Sequence, residues 1–382
     1  MSKLSFIDIA KDIVIQPTAP FSEGFPISSL NRFLEVHPKL TRSTDVYGNI
    51  FIKFDGSKSA DLPRTILTAH LDHPGFKWIE NIDSKTSLFG IYGGINKNLL
   101  LNQAVRIYNP GISSNGRSIR GKIIKLYDSQ QSRPSIKVEY IEKIVNTELK
   151  TSFCCLDITP WRIFGNKLHA RVCDDLVGVA AGLKTLAELS LSNQSLKAGI
   201  LLTRAEEVGF AGMLGALNEN YLSKKDIYVN IECSSIRAGA LLGGGPIVRV
   251  GDRITVFDPN LSLALTNCAT TLQNTDSNFK FQRKLMDAGA CEATPLARAG
   301  YQTGAVAIPL DNYHNDGITR LKPEIVDLRD VNNLVKLLTI FCKSQVAKES
   351  SITLANKYID KQLKKTFSRY NSDLKTLPIL PI

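Results

Sequence analysis

Hydrophobic and polar positions follow two textures along this chain. Residues 5–15 and 27–36 repeat their apolar side chains at helical spacing and are separated by the Pro/Ser/Gly-rich stretch 17–24. The turn 45–49 leads into an alternating strand at 50–54, and the continuous apolar run 65–69 reads as a buried strand ending in His70-Leu71-Asp72. From Gly75 to Gly165 the pattern changes. Short alternating segments at 87–92, 104–108, 119–126 and 136–140 are punctuated by Gly, Asn, Ser and Pro, and long helical patterns are absent, which predicts a small β-barrel or sandwich.

After Arg171 helices and strands alternate again. The pattern predicts a helix over 175–189, a strand over 198–202 ending in Glu206-Glu207, and a small-residue helix over 210–217. It then predicts a strand over 226–231, a flexible glycine turn at Gly243-Gly244-Gly245, an alanine-rich helix over 291–299, a strand over 304–309 and a helix over 331–341. Such alternation implies an α/β fold, a mostly parallel sheet sandwiched by helices, with the β-rich block inserted into it. The expected organisation is a catalytic α/β domain in two parts, 1–74 and 166–346, an inserted β-rich domain at 75–165, and a basic extension at 347–382 carrying a polar helix.

Composition narrows the classes. No run approaches the roughly 18 apolar residues of a membrane span, and Asp8, Lys11 and Asp12 interrupt the apolar start, so neither a membrane partner nor a secretory leader is expected. Seven cysteines without paired spacing, Cys154-Cys155 included, read as buried thiols of a reducing compartment, and the expected location is cytoplasmic. The net charge of +11 is scattered, its densest cluster lying between Lys361 and Arg369, and no basic-aromatic motif accompanies it, so no nucleic-acid partner is expected.

The chemistry concentrates where apolar strands end, the edge at which open α/β sheets collect ligands. His70 and Asp72, Glu206 and Glu207, Glu232, and His314 occupy such positions, and Asp174-Asp175 opens a helix, where capping alone would account for acidic residues. Two imidazoles with several carboxylates are the mixed nitrogen and oxygen donors that a pair of adjacent divalent ions requires, one carboxylate being shared. The spacing His-x-Asp adds an aspartate able to accept the second ring N–H of a metal-bound histidine. Of the five histidines, His37 and His169 read as structural and His73 is left open; Cys233 reads as core. A serine-nucleophile elbow and a phosphate loop are both missing from the sequence.

The order of these motifs, Ala69-His70-Leu71-Asp72, Asp174-Asp175 with Gly178, Glu206-Glu207-x-Gly209-x-x-Gly212, an acidic strand end and a late histidine, resembles the dinuclear zinc exopeptidases. The β-rich insertion between His70 and Asp174 makes the chain similar to one branch of them. That branch is the tetrahedral, or glutamyl and deblocking, aminopeptidase family (metallopeptidase family forty-two). Further support lies in Ile119-Arg120-Gly121-Lys122-Ile123, the segment from Gly243 to Arg249, and the segment from Val326 to Val331.

The resemblance implies a zinc-exopeptidase-like fold with a barrel or PDZ-like insertion and two divalent metal ions, zinc foremost, with cobalt or manganese as alternatives. It implies that His70 and Glu232 hold one ion, Glu207 and His314 the other, and Asp174 both, with Glu206 as general base and Asp72 orienting. It also implies short peptides as substrates and a homo-oligomer, up to a tetrahedral dodecamer. The chain departs from the family pattern at Glu232, where aspartate is usual and where Asn230 is a weaker alternative ligand, at Leu176, where a polar residue is usual, and at His73, where glutamate is common. Two other readings stay open: a carboxypeptidase or amide deacylase using the same metal pair, and a non-catalytic scaffold.

Overall fold

The computed structural model describes residues 4–56, 62–109, 118–128, 133–141, 151–192, 195–345 and 350–375. A mixed eight-stranded sheet occupies the centre, in the order Thr41–Thr44, Ile50–Asp55, Lys197–Thr203, Arg64–His70, Ile227–Ser235, Gln302–Leu310, Ile247–Asp252, Gln282–Met286. The four strands from Lys197–Thr203 to Gln302–Leu310 run parallel. Antiparallel neighbours flank them on either side.

Side chains alternate across a strand, and here both faces are covered. Leu67 joins the core made with helices Phe6–Val14, Leu176–Ser190, Pro259–Thr275 and Leu328–Ser344. Its neighbour Ile66 points the other way, toward Met213, Ala216 and Leu296 of the helices Ala211–Asn218 and Ala293–Arg298. The mostly parallel, helix-covered sheet expected from the alternating pattern is therefore present.

The inserted block is a closed antiparallel barrel of six strands, in the order Gly75–Asn81, Thr86–Tyr92, Ser135–Tyr140, Ile119–Tyr127, Ala104–Tyr108, Phe153–Leu156. It has its own core, which includes Phe76, Phe89, Ile107, Ile123 and Val138. The next strand, Arg162–Phe164, lies outside the barrel, in a three-stranded sheet with Lys167–Ala170 and Glu324–Asp327.

Helix Pro259–Thr275 and strands Ile247–Asp252 and Gln282–Met286 form where no element was expected. The helix buries Leu261, Ala264, Leu265, Cys268, Ala269 and Leu272 on one face, and its start is fixed by Pro259 and by the Asp258 carboxylate accepting from the Leu261 amide at 2.7 Å. The glycine turn is held in place. The amides of Gly243 and Gly245 each donate to the Asp330 carboxylate at 2.7 Å, and a side chain on Gly245, at φ +85°, would meet the Lys280 carbonyl at 1.9 Å. The tail forms helix Ser351–Lys375, whose Ile352 and Ala355 are buried.

Candidate metal centre

Register brings the polar strand ends together. Thr203 pairs with His70 across parallel neighbours, and the Leu71 amide donates to the Thr203 carbonyl at 2.9 Å, so His70-Leu71-Asp72 and Ala205-Glu206-Glu207 leave the sheet side by side. After Thr203 the chain turns through Ala205, at φ +53°, into the single helical turn Glu206–Val208. Asp72 fixes that turn: its two carboxylate oxygens accept from the amides of Glu206 at 2.9 Å and Glu207 at 3.1 Å.

Around Asp174 the histidine-containing donors fall into two sets, beside a third grouping of Asp174 with Asp175 and Cys233. His70 Nε2 lies 3.4 Å from Asp174 Oδ1 and 3.6 Å from Glu232 Oε1. His314 Nε2 lies 3.8 Å from Asp174 Oδ2 and 3.0 Å from Glu207 Oε1. His70, Asp174 and Glu232 each offer a ligand atom within 4.8 Å of the others, and so do Asp174, Glu207 and His314. One oxygen of Asp174 faces each set. Glu206 adjoins His70 and Glu207 within the same limit.

Whether these residues fit metal ions is decided by their unmet valences. Both oxygens of Asp174, Glu207 Oε1 and His314 Nε2 are buried without a hydrogen-bond partner, although His314 Nε2 and Glu207 Oε1 are only 3.0 Å apart. Their alignment is wrong for a hydrogen bond, and leaving such atoms unpaired costs about 1–3 kcal/mol each. Divalent cations satisfy this donor set, and the residues fit them.

The electrostatics agree. Burial, reinforced by the Glu232 charge, pushes the Asp174 carboxyl well above its ordinary range. Burial does the same to Glu206, with His70 pulling the other way and Glu232 and Glu207 adding to the rise. At Glu232 burial is outweighed by His70, and with help from Arg249 the carboxylate is held at about 2. Three or more carboxylates packed in one dry site repel one another strongly unless positive charge is supplied.

The supporting residues are mostly ones the sequence did not single out. Glu324, fully buried, accepts from the amides of Cys173 at 2.7 Å and Asp174 at 3.0 Å through one oxygen and of His314 at 2.8 Å through the other. It ties the backbone at Asp174 to that at His314. Glu292 is buried, with neither oxygen hydrogen-bonded, and burial together with the nearby Glu232 and Asp72 charges raises it to about 8. No motif marks either residue; only their burial does.

His70 and its orienting partner differ in detail from the His-x-Asp expectation. The Asp72 backbone carbonyl lies 3.1 Å from His70 Nδ1, whereas the Asp72 carboxylate is 3.7 Å away and is engaged by the two amides. His73 Nδ1 lies 2.9 Å from the Asp174 carbonyl and Nε2 3.2 Å from Asn315 Oδ1, and its one N–H can serve either. Asn230 turns its amide nitrogen toward Thr68, 3.0 Å from that hydroxyl. Cys233 is buried against the Cys173 carbonyl and Asp175, and His37 stacks on Phe33. Asp175 precedes helix Leu176–Ser190 and makes no side-chain cap bond.

A cavity of about 510 Å³ opens beside Glu232 and His314. The eight-stranded sheet contributes Arg249 and Met286 to its lining, the loop after Leu310 contributes Tyr313, and the barrel side contributes Gly94 and Asn96.

Comparison with known proteins agrees with this geometry. Residues 48–337 match the M42 glutamyl aminopeptidase family. The chain belongs to that family of metal-using hydrolases. A putative aminopeptidase of Acetivibrio thermocellus is 24% identical over 309 residues, covering 77% of this chain and 86% of that protein. An aminopeptidase from the archaeon Desulfurococcus kamchatkensis superposes with a TM-score of 0.72 at 20% identity, over 91% of this chain and 95% of its own. The TET1 peptidase of Pyrococcus horikoshii, which can assemble into a tetrahedron or a large octahedral shell, gives 0.70 at 19% identity, over 88% and 99%. At these identities the solved structures establish the fold, a TET-like sheet with an inserted barrel. Among the described residues no helix is long and apolar enough to cross a membrane.

Proposed function

We propose that this protein is a metal-dependent aminopeptidase that removes N-terminal residues from short peptides. The observation that carries the reading is the placement of Asp174 between His70 with Glu232 on one side and Glu207 with His314 on the other, both Asp174 oxygens, Glu207 Oε1 and His314 Nε2 being buried without a partner, with Glu206 beside them. His70 and Glu232 would hold one divalent ion, Glu207 and His314 the other, and Asp174 would be shared, zinc being the expected metal. When bound, the two ions would supply positive charge that acidifies water and polarises the peptide carbonyl.

The chain's own residues do the rest. Glu206, buried at the lip of the sheet, takes the proton of the attacking water and returns it to the departing amine, the cycle of a general base that becomes a general acid. Asp72 fixes the turn that carries it. The cavity beside Glu232 and His314 would receive the substrate, with Gly94 and Asn96 on its barrel side.

Glu206→Gln tests the reading. Hydrolysis of peptides with a free amino terminus should fall by at least about 100-fold while metal content stays unchanged; turnover close to that of the unaltered protein would refute the role. Release of residues from the carboxyl terminus of an unblocked peptide would instead favour the carboxypeptidase reading. The barrel and the relatives that build shells support a homo-oligomer, up to a dodecamer, which sizing in solution checks; a monomer at all concentrations would contradict it.

A further inference from the structure

Ala205, Glu206 and Glu207 present three successive backbone N–H groups at the turn that carries the base. Asp72 takes the second and third. The first, that of Ala205, donates at 3.0 Å to Glu23 Oε1, from a segment before the first sheet strand and outside the residues that match the family.

Glu23 is 1% exposed. The same oxygen accepts from the Phe21 amide at 2.7 Å, and the other accepts from Arg204 Nε at 2.7 Å. Arg204 is pinned in turn by the Tyr47 carbonyl at 2.8 Å through its side chain and by Asn49 Oδ1 at 3.1 Å through its amide. The segment bearing Glu23 is itself anchored. Thr18 donates to the Leu71 carbonyl at 2.8 Å, and Ala19 and Phe25 pack with Tyr108, Phe153 and Cys155 of the barrel.

We propose that Glu23 is a positioning residue for the general base: it closes the clamp on the Ala205-Glu206-Glu207 turn and holds Glu206 in register with the metal-ligand cluster. The inference rests on the aminopeptidase reading for its kinetic consequence but not for its structural one. Ala205 has a side chain yet sits in the left-handed region, at φ +53°, so the turn persists only while its surroundings hold it. A buried amide that loses its acceptor relaxes toward another conformation or toward water. Either movement displaces Glu206, and a shift of about 1 Å at a reacting group is enough to cost about 100-fold in rate.

The test uses the full-length, metal-supplemented protein and two variants, Glu23→Ala and Glu23→Gln. Glutamine keeps an oxygen for the Ala205 and Phe21 amides and gives up the charge and the hydrogen bond on Arg204 Nε, toward which its NH2 group is turned. In Glu23→Ala, kcat should fall about 10- to 100-fold with KM within about twofold and metal content unchanged. Glu23→Gln should restore kcat to within about threefold of the unaltered protein. Amide hydrogen exchange supplies an arm independent of turnover: in Glu23→Ala, peptides covering 203–210 should exchange at least about tenfold faster, and in Glu23→Gln they should not.

Unchanged exchange in Glu23→Ala overturns the proposal, as does a Glu23→Gln variant as impaired as alanine, which would place the effect in the Arg204 ion pair. Loss of metal in step with kcat also overturns it. Should Glu23→Ala fail to fold, exchange in Glu23→Gln decides: protection retained at 203–210 supports the clamp and protection lost refutes it. Should the unaltered protein hydrolyse no peptide, the aminopeptidase reading fails while the exchange arm still decides the clamp.

Discussion

Replacing Glu324 by glutamine removes one charge from beneath the candidate metal centre while preserving shape. The carboxylate accepts three backbone N–H groups, those of Cys173 and Asp174 on one oxygen and that of His314 on the other. Glutamine has one oxygen for three donors. Its best orientation keeps the Cys173 and Asp174 pair and turns an NH2 group against the His314 amide. The loss is one hydrogen bond to a charged acceptor, about 1.5–3 kcal/mol, part of which returns as His314 shifts to find another partner. Because that amide sets the backbone of a candidate ligand in the Asp174, Glu207 and His314 set, the expected result is about 10- to 100-fold weaker binding of one divalent ion of two. Chelator-competition titration measures this, with thermal unfolding in excess chelator as the control for the protein alone. Two binding events of unchanged affinity would show that the Glu324 contacts do not govern the site, and the reasoning from hydrogen-bond geometry to metal affinity would fail.

Other consequences follow from single contacts. Glu292, at about 8 in the folded protein against an ordinary 4.5, binds a proton that the unfolded chain has released between those values. The contribution of Glu292 to stability in excess chelator is therefore fully present below about pH 4.5 and is lost as pH rises to about 8, an upper bound of about 5 kcal/mol. Glu292→Gln should flatten that part of the denaturation profile, and an unchanged slope would count against the assignment. Gly212→Ala would push a Cβ to 2.4 Å from the Arg204 carbonyl and 2.5 Å from Asn49 Oδ1, so kcat should drop about tenfold or more through displacement of the base-bearing turn; wild-type kinetics would show that the turn yields freely. Gly245→Ala combines a positive φ with a clash against the Lys280 carbonyl and should cost about 2–4 kcal/mol in chemical denaturation, with little change in metal affinity.

Much of the fold was legible because the pattern of burial repeats the period of each element. The strand at Arg64–His70 and the one at Lys197–Thr203 are buried on both faces, which is why they read as unbroken apolar runs. The barrel strands read as alternating because one face of each lines the barrel core. Helix Pro259–Thr275 was missed because Thr, Asn and Ser dilute an apolar face that only its packing makes plain. Edge strand Gln282–Met286 was missed because it buries just Gln282 and Met286. The glycine turn looked free in sequence, since Asp330, which grips it, lies in a distant helix.

The same division holds at the site. Sequence alone placed His70, Asp72, Glu206, Glu207 and His314 at or just beyond strand ends, and Asp174 before a helix, because polar residues interrupt apolar runs abruptly; Glu232, expected at a strand end, lies inside Ile227–Ser235, which continues beyond it. Their meeting was decided by the tertiary structure, through a parallel register that sets His70 level with Thr203 and through Glu324 binding backbone on both sides of the cluster. Glu23, Glu292 and Glu324 carry no local pattern, and their roles arise from burial and from donors contributed by chain segments far away. Local chemistry is written in neighbouring residues, whereas the hydrogen bonds that orient it depend on contacts formed only when the chain closes on itself.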